Sequence, residues 1–519
     1  MERSSGVLMP MTSLPSPYGV GTMGKEAFRF IDFLAAAGQK YWQLLPLGPT
    51  GYGDSPYSSY SCFAGNPYLI DLDQLIEEGL LTRKEVKAVD WGDDPAKTDY
   101  GKLYKGRDPL LRKAFERGRE ALREECAAFC AKNAGWLDNY ALYMAVKAHF
   151  GMKSWTAWPD AEIRKHHPDA VRSYSEKLKD EADFYRFVQF LFFRQWEKLK
   201  AYAAEKGVLF IGDIPIYVAM DSADIWSEPR FFQLDEDGVP KEVAGVPPDP
   251  FTEDGQLWGN PLYDWDRMKA DGYGWWIRRI EGATKLFDVL RIDHFRGMES
   301  YWAVPYGDKT AKNGRWRPGP GMSLVGVLTS WFHGTSFIAE DLGYLTPEVR
   351  QLLKDSGLPG MRVMEFAFDA HGESDYLPHR CNENSVCYLG THDNDTVQGW
   401  LETIGEEDQD FARLYMHITP DEGWNWGMIR SGMATASALF VVQMQDLLGL
   451  DGSARMNKPG SDSGNWKWRM LPGAADDELA AKLRLYTETF RRTEIPPKAV
   501  EEAEENEGEA DDAEPEKNP

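Results

Sequence analysis

Apolar residues recur at helical spacing over Lys25–Ala37, and the next stretch, Lys40–Leu47, is a short apolar run stopped by Pro46 and Pro49. That pairing predicts an amphipathic helix feeding a buried strand, the start of an α/β chain. From about Leu75 to Ala204 the pattern is helical almost throughout. It ends in a long apolar-rich helix over Ala182–Glu205, with Gly207 placed as its C-cap. So many helices without intervening strands read as an inserted subdomain. Short apolar runs then return at wide spacing, over Val208–Ile211, Phe287–Ile292, Ser336–Ala339, Met361–Phe366 and Ser385–Leu389. Helical stretches lie between them, including Thr346–Lys354 and Ala434–Leu447. Short buried strands alternating with helices indicate a parallel sheet.

Each of these strands is followed closely by an acid: Asp213, Asp293, Glu340, Asp369 and Asp393. In a (β/α)8 barrel the catalytic groups come from the C-terminal ends of several different strands. The expected fold is therefore α/β, a (β/α)8 TIM barrel with a largely helical inserted subdomain and long loops over the C-terminal face. It divides into 1–74, the start of the barrel; 75–205, the helical insert; 206–498, the rest of the barrel with its loops; and 499–519, an acidic tail. Glu501–Glu516 holds ten acidic residues and no bulky apolar one, so it is expected to stay disordered.

Composition narrows the partners. A net charge of −25 over 519 residues argues against nucleic acid, which needs a basic footprint. Met1–Ser16 lacks the charged and apolar blocks of a signal peptide, and no run of about eighteen apolar residues predicts a membrane span. Cytoplasmic residence is the expectation. Cys126 and Cys130 stand four apart without a nearby His or second Cys pair, which reads as reduced thiols rather than zinc. Many of the 19 Trp and 23 Tyr sit in polar, Gly-rich strings such as Gly51-Tyr52-Gly53-Asp54-Ser55-Pro56-Tyr57 and Gly464-Asn465-Trp466. Such loops suit a ligand with flat apolar faces and many hydroxyls, as sugars have.

Three strings carry the chemistry. In Arg291-Ile292-Asp293-His294-Phe295-Arg296-Gly297, strand alternation points Arg291 and Asp293 the same way. The guanidinium is expected to keep the acid ionised, as a glycosidic nucleophile must be. In Phe337-Ile338-Ala339-Glu340-Asp341-Leu342-Gly343, adjacent carboxylates cannot both point inward from one strand, and spacing leaves open which does. The inward one is a candidate proton donor, its pKa raised by a negative neighbour. The third string, Leu389-Gly390-Thr391-His392-Asp393-Asn394-Asp395-Thr396, offers a His-Asp pair that would orient hydroxyls, or a turn and helix cap.

Taken in order at successive strands, these strings resemble the alpha-amylase superfamily. Finer strings resemble its amylomaltase branch, the 4-alpha-glucanotransferases. Among them are Ala64-Gly65-Asn66-Pro67-Tyr68, Gly212-Asp213-Ile214-Pro215-Ile216-Tyr217-Val218, Ala244-Gly245-Val246-Pro247-Pro248-Asp249 and Gly255-Gln256-Leu257-Trp258-Gly259-Asn260-Pro261. The resemblance spans residues 6 to 495. It implies a retaining enzyme that moves α-1,4-glucan segments between malto-oligosaccharides or to glucose, with no cofactor. It makes Asp293 the nucleophile, Glu340 the acid/base and Asp393 the transition-state stabiliser. Around the donor sugar it sets Arg291, Asp213, His294 and His392, with Tyr57 stacking beneath.

Gln256 and Trp258 would line the acceptor side, within a Val243–Pro261 loop that also carries Phe251, and Asn465-Trp466 would help there. Tyr52 resembles a secondary glucan-site position. Asp213 is not followed by the Asn-His pair that accompanies calcium in many amylases, so no metal is expected. The resemblance gives no oligomeric state. A glucan hydrolase on the same barrel, or a glucan-binding protein without activity, are the rival readings.

Overall fold

The computed structural model describes residues 1–51, 53–249, 252–461 and 463–494. Twelve strands occur among them: β1 Ser4–Leu8, β2 Tyr41–Gln43, β3 Leu209–Ile214, β4 Glu242–Val246, β5 Gln256–Pro261, β6 Val289–Ile292, β7 Ser300–Pro305, β8 Arg315–Pro318, β9 Ser336–Ala339, β10 Gly360–Val363, β11 Ser385–Tyr388 and β12 Leu439–Gln443. Eight close into a parallel barrel in the order β1-β2-β3-β6-β9-β10-β11-β12, with β12 pairing back onto β1. The other four form an antiparallel sheet, β5-β4-β7-β8. The fold is the (β/α)8 barrel that strand-end acids implied.

Two apolar layers hold it together. Leu8, Tyr41, Ile211, Val289, Ile338, Met361, Val363, Val386, Tyr388, Leu439 and Val441 fill the barrel interior. The intervening residues, such as Phe210, Leu290, Phe337, Ala339 and Phe440, join the larger core between strands and helices. Period-two alternation of a pleated strand separates the layers. Between β2 and β3 the chain runs through helices from Leu72–Glu77 to Lys179–Glu205, with no strand among the described residues there. Lys179–Glu205 packs along Arg123–His149 and stops at Gly207, whose φ of +73° is the left-handed turn that ends a helix without a Cβ penalty.

Several sequence expectations change. Ala434–Leu447 is not one helix: a helix ends at Ala434, β12 occupies Leu439–Gln443, and a single turn follows. All five β12 residues are buried, and a fully buried strand has no alternation to tell it from a helix. Ser4–Leu8, unrecognised in the sequence, supplies the strand that closes the ring. Lys40–Leu47 contributes only three strand residues. The two ends of the Val243–Pro261 stretch are not loop but the paired strands β4 and β5 of the second sheet. Tyr52, Phe251 and the tail Glu501–Glu516 lie outside the described residues.

Candidate active site

Alternation carries straight off the barrel strands into the site. Counting two residues from the interior positions Ile211, Val289 and Ile338 gives Asp213, Arg291 and Glu340, and two more from Arg291 gives Asp293. By the same count Asp341 belongs to the other side of β9. Its carboxylate accepts the Met361 N–H at 2.6 Å and faces Arg362 Nη1 at 3.2 Å. The register Arg291↔Ile338, Ile292↔Ala339 sets Asp293 and Glu340 side by side at neighbouring strand ends, and neighbouring strands lie ~4.8 Å apart.

Arg291 organises the β3–β6 side. Its Nη1 donates to both Asp213 oxygens at 2.7 Å and to Asp293 Oδ1 at 3.2 Å. Burial works against its charge, but Asp213 and Asp293 more than offset this and hold its pKa well above the usual value. The Tyr57 hydroxyl donates to Asp213 Oδ2 at 2.7 Å and lies 2.8 Å from His392 Nε2. With its one proton committed to Asp213, it receives that of His392, which fixes the Nε2–H tautomer. Burial lowers the His392 pKa and raises that of Tyr57 far above its normal range, so both rings are neutral.

Glu340 accepts the backbone N–H of His294 at 2.6 Å and that of Leu342 at 3.0 Å. His294 reaches this position with φ +50°, a left-handed conformation uncommon outside glycine. Its ring, held neutral by burial and by Arg296 with a pKa of about 3, stands edge-on to Trp258 at 4.8 Å. Burial pushes the Glu340 carboxyl up to about 8, with Asp293 adding to the rise against Arg291 and the two N–H bonds. Asp293 also rises, to about 7, because burial outweighs Arg291, and Asp213 and Asp393 add repulsion. Arg291 favours the Asp293 anion, as expected, while burial works against it. The two carboxyls titrate as a pair, and Glu340, the more enclosed, keeps its proton to higher pH than Asp293.

Asp393 is more open, with 43% of its side chain exposed. It is pinned rather than buried: Asn457 Nδ2 donates to Oδ1 at 2.6 Å, and Arg455 Nη2 donates to its backbone carbonyl at 2.6 Å. Neither residue was singled out in the sequence, since Arg455-Met456-Asn457 follows no strand and only the folded chain brings it back. Asn465, expected at the acceptor side, spends its amide on the loop itself, accepting from Lys458 N and donating to Ser461 O. Trp466 packs near Tyr57 and His392, at 5.8 and 6.0 Å.

Gln256 and Trp258 stand together on β5, the indole N–H donating to Gln256 Oε1 at 3.1 Å. The β4–β5 register shifts between Val243/Gly245 and Pro261/Leu257. Trp258–Asn260 forms the extra loop of a bulge, with Gly259 at φ +77°, and bulges re-aim side chains. Asp369, counted among the strand-end acids, is exposed. The acid of that strand is Glu365, buried two residues past Val363, its pKa pushed well up by burial and by Asp446 and Asp395. The missed signal was the alternation Met361, Val363, Glu365 running through a segment read only as strand.

Among the described residues no His, Cys, Asp or Glu group is arranged to hold a metal, and no helix is long and apolar enough to cross a membrane. All five cysteines are free thiols.

Comparison with known proteins identifies the frame around this site. The family model described as 4-alpha-glucanotransferase matches residues 9–474. A 4-alpha-glucanotransferase of Clostridium butyricum is 46% identical over 489 residues, covering 94% of this chain and 100% of its own length. That of Thermus thermophilus is 47% identical over 503 residues, covering 95% and 99%. The amylomaltase of Streptococcus agalactiae, solved in complex with acarbose, superposes with a TM-score of 0.92 at 41% identity, covering 95% of this chain and 100% of its own.

Proposed function

This chain belongs to the 4-alpha-glucanotransferase family and is an enzyme of amylomaltase type, and from that premise we propose the roles of its residues. Glu340 protonates the glycosidic oxygen of a malto-oligosaccharide donor while Asp293 attacks the anomeric carbon, giving a covalent glucosyl-enzyme of inverted configuration. Glu340, now the base, takes the proton of an acceptor 4-hydroxyl, and a second inversion restores the α linkage. Asp393 faces the positive charge that develops in both transition states. Asp213, Arg291, His294, His392 and Tyr57 hold the donor sugar, and Gln256 and Trp258 meet the acceptor. We also place the reaction in the cytoplasm, in keeping with five unpaired cysteines.

The observation that carries this reading is the register of β6 on β9. It makes Asp293 and Glu340 neighbours across one strand gap, which suits the ~5–5.5 Å carboxyl separation of retaining enzymes. That the Streptococcus agalactiae relative was solved in complex with acarbose supports sugar binding by this chain. Incubation with maltotriose, with the products resolved by length, tests the assignment. The expected result is glucose together with a ladder of longer chains. Net hydrolysis to glucose and maltose would favour water as the acceptor and overturn the transfer reading.

A further inference from the structure

Beyond the donor cleft, one aromatic side chain is held in an unusual way. Arg296 lies three residues after Asp293, in the one-turn helix Phe295–Met298, and is only 4% exposed. Its Nη2 donates to Ser300 Oγ at 3.2 Å, while its Nε is buried with no hydrogen-bond partner among the described residues. The group that covers the guanidinium is the indole of Trp316 on the edge strand β8, with the charge centre 3.9 Å from the ring centroid. Trp316 also meets Trp302 edge-on at 5.1 Å. One face of the indole is thereby committed to a buried cation and one edge to a neighbour. The side chain as a whole is nevertheless 40% exposed.

The position of this platform says what it would bind. The Phe295 N–H, one residue before Arg296, donates to the Glu340 backbone carbonyl at 3.0 Å. Tyr344, four residues after Glu340, is 76% exposed. Both aromatics are thus tied to Glu340 through short chain segments, whereas Tyr57, Asp213 and His392 are joined to one another by hydrogen bonds on the Arg291 side. β5, which carries Trp258, and β8, which carries Trp316, are the two edge strands of one four-stranded sheet. Three strand gaps of ~4.8 Å separate them by roughly 14 Å, more than one glucosyl unit occupies.

We propose that Trp316, clamped by Arg296 and joined by Tyr344, is a stacking platform for the distal glucosyl units of a long α-1,4-glucan acceptor. This rests on the assignment of Glu340 as the group facing the acceptor. A glucosyl ring presents an apolar C–H face, and an indole already fixed by a cation–π contact loses little freedom when that face settles on it. The consequence is a preference for acceptor length that the cleft alone does not supply.

The test uses the full-length enzyme with α-glucosyl fluoride as a fixed donor and acceptors from glucose to maltoheptaose. In Trp316→Ala the loss of acceptor kcat/KM should grow with length, reaching about tenfold for maltoheptaose and mostly in KM. Trp316→Phe should recover part of it. Tyr344→Ala, at a more exposed position, should show the same trend more weakly and guards against a folding defect in the first variant. A loss equal at every acceptor length, or no loss in either alanine variant, would overturn the proposal. Wild-type enzyme that transferred from the fluoride to no acceptor would instead refute the underlying assignment of Glu340.

Discussion

Replacing Arg291 with methionine removes the cation that bridges Asp213 and Asp293 while keeping most of its volume. The Arg291 and Asp213 side chains are 3% and 0% exposed, so the variant leaves the Asp213 carboxyl without its cation where water does not reach, beside an Asp293 that is 24% exposed. Breaking a buried pair from one side costs about 3–5 kcal/mol. The effect on chemistry follows from Asp293, which already sits at about 7. Loss of a neighbouring guanidinium raises a carboxyl by ~1–3 units. A two-unit rise cuts its ionised fraction at pH 7 from about half to about 1%, roughly fifty-fold in rate if the anion is the nucleophile.

The sign is set by the upward shift. A carboxyl whose folded pKa is raised leaves stability intact below its unfolded value near 3.9 and erodes it as pH climbs toward the folded value. Urea unfolding of Arg291→Met should therefore show a deficit that grows between about pH 4 and pH 9. Activity on α-glucosyl fluoride, which needs little acid help, should recover as pH rises toward 9. Arg291→Met combined with Asp213→Asn should regain much of the stability, because a buried charge goes with its partner, yet remain a poor catalyst. Wild-type stability in the single variant, or an activity loss of equal size at pH 6 and pH 9, would refute the argument.

The remaining expectations concern neighbouring residues. Glu340→Gln should slow transfer from maltotriose by orders of magnitude but spare the first step with glucosyl fluoride, and it should remove the alkaline limb expected of the wild-type profile near pH 8. Asp341→Asn should instead cost stability, about 1–3 kcal/mol, since its carboxylate satisfies the Met361 N–H and Arg362; a loss of rate matching Glu340→Gln with stability unchanged would reverse the two assignments. Water at about 55 M competes for the glucosyl-enzyme, so transfer depends on acceptor positioning. Trp258→Ala should accordingly raise hydrolysis relative to transfer and increase acceptor KM, and an unchanged ratio would leave Trp258 a packing residue. Treatment with EDTA should leave activity intact, and a loss restored by calcium would contradict metal-free chemistry.

How much of this was legible beforehand depends on how far each signal reaches along the chain. Short buried strands each ending in an acid, separated by helices, announced a barrel, because period-two strands and 3.6-period helices write their pattern locally. The pairing of Arg291 with Asp293 was readable for the same reason: two residues on one strand share a face. Between Glu340 and Asp341 the sequence alone left a choice, and the folded chain separates them by giving one to the cleft and the other to Met361 N and Arg362. Burial hid other features. All of β12 faces protein and so carries no alternation, and β1 is recognisable only as the strand that β12 must meet. Glu365 was overlooked for a related reason, as an acid inside an apparent strand.

What only the tertiary structure decided are contacts between distant segments. Asn457 reaches Asp393 across 64 residues, Tyr57 reaches His392 across 335, and Arg296 is capped by the indole of Trp316 on β8. The balance of charge belongs to the same class. An arginine two residues from an aspartate promises an ionised acid. Enclosing both inside a barrel mouth, beside Asp213 and Asp393, raises that acid instead. Desolvation depends on every atom that excludes water from a group, and no stretch of sequence contains that sum.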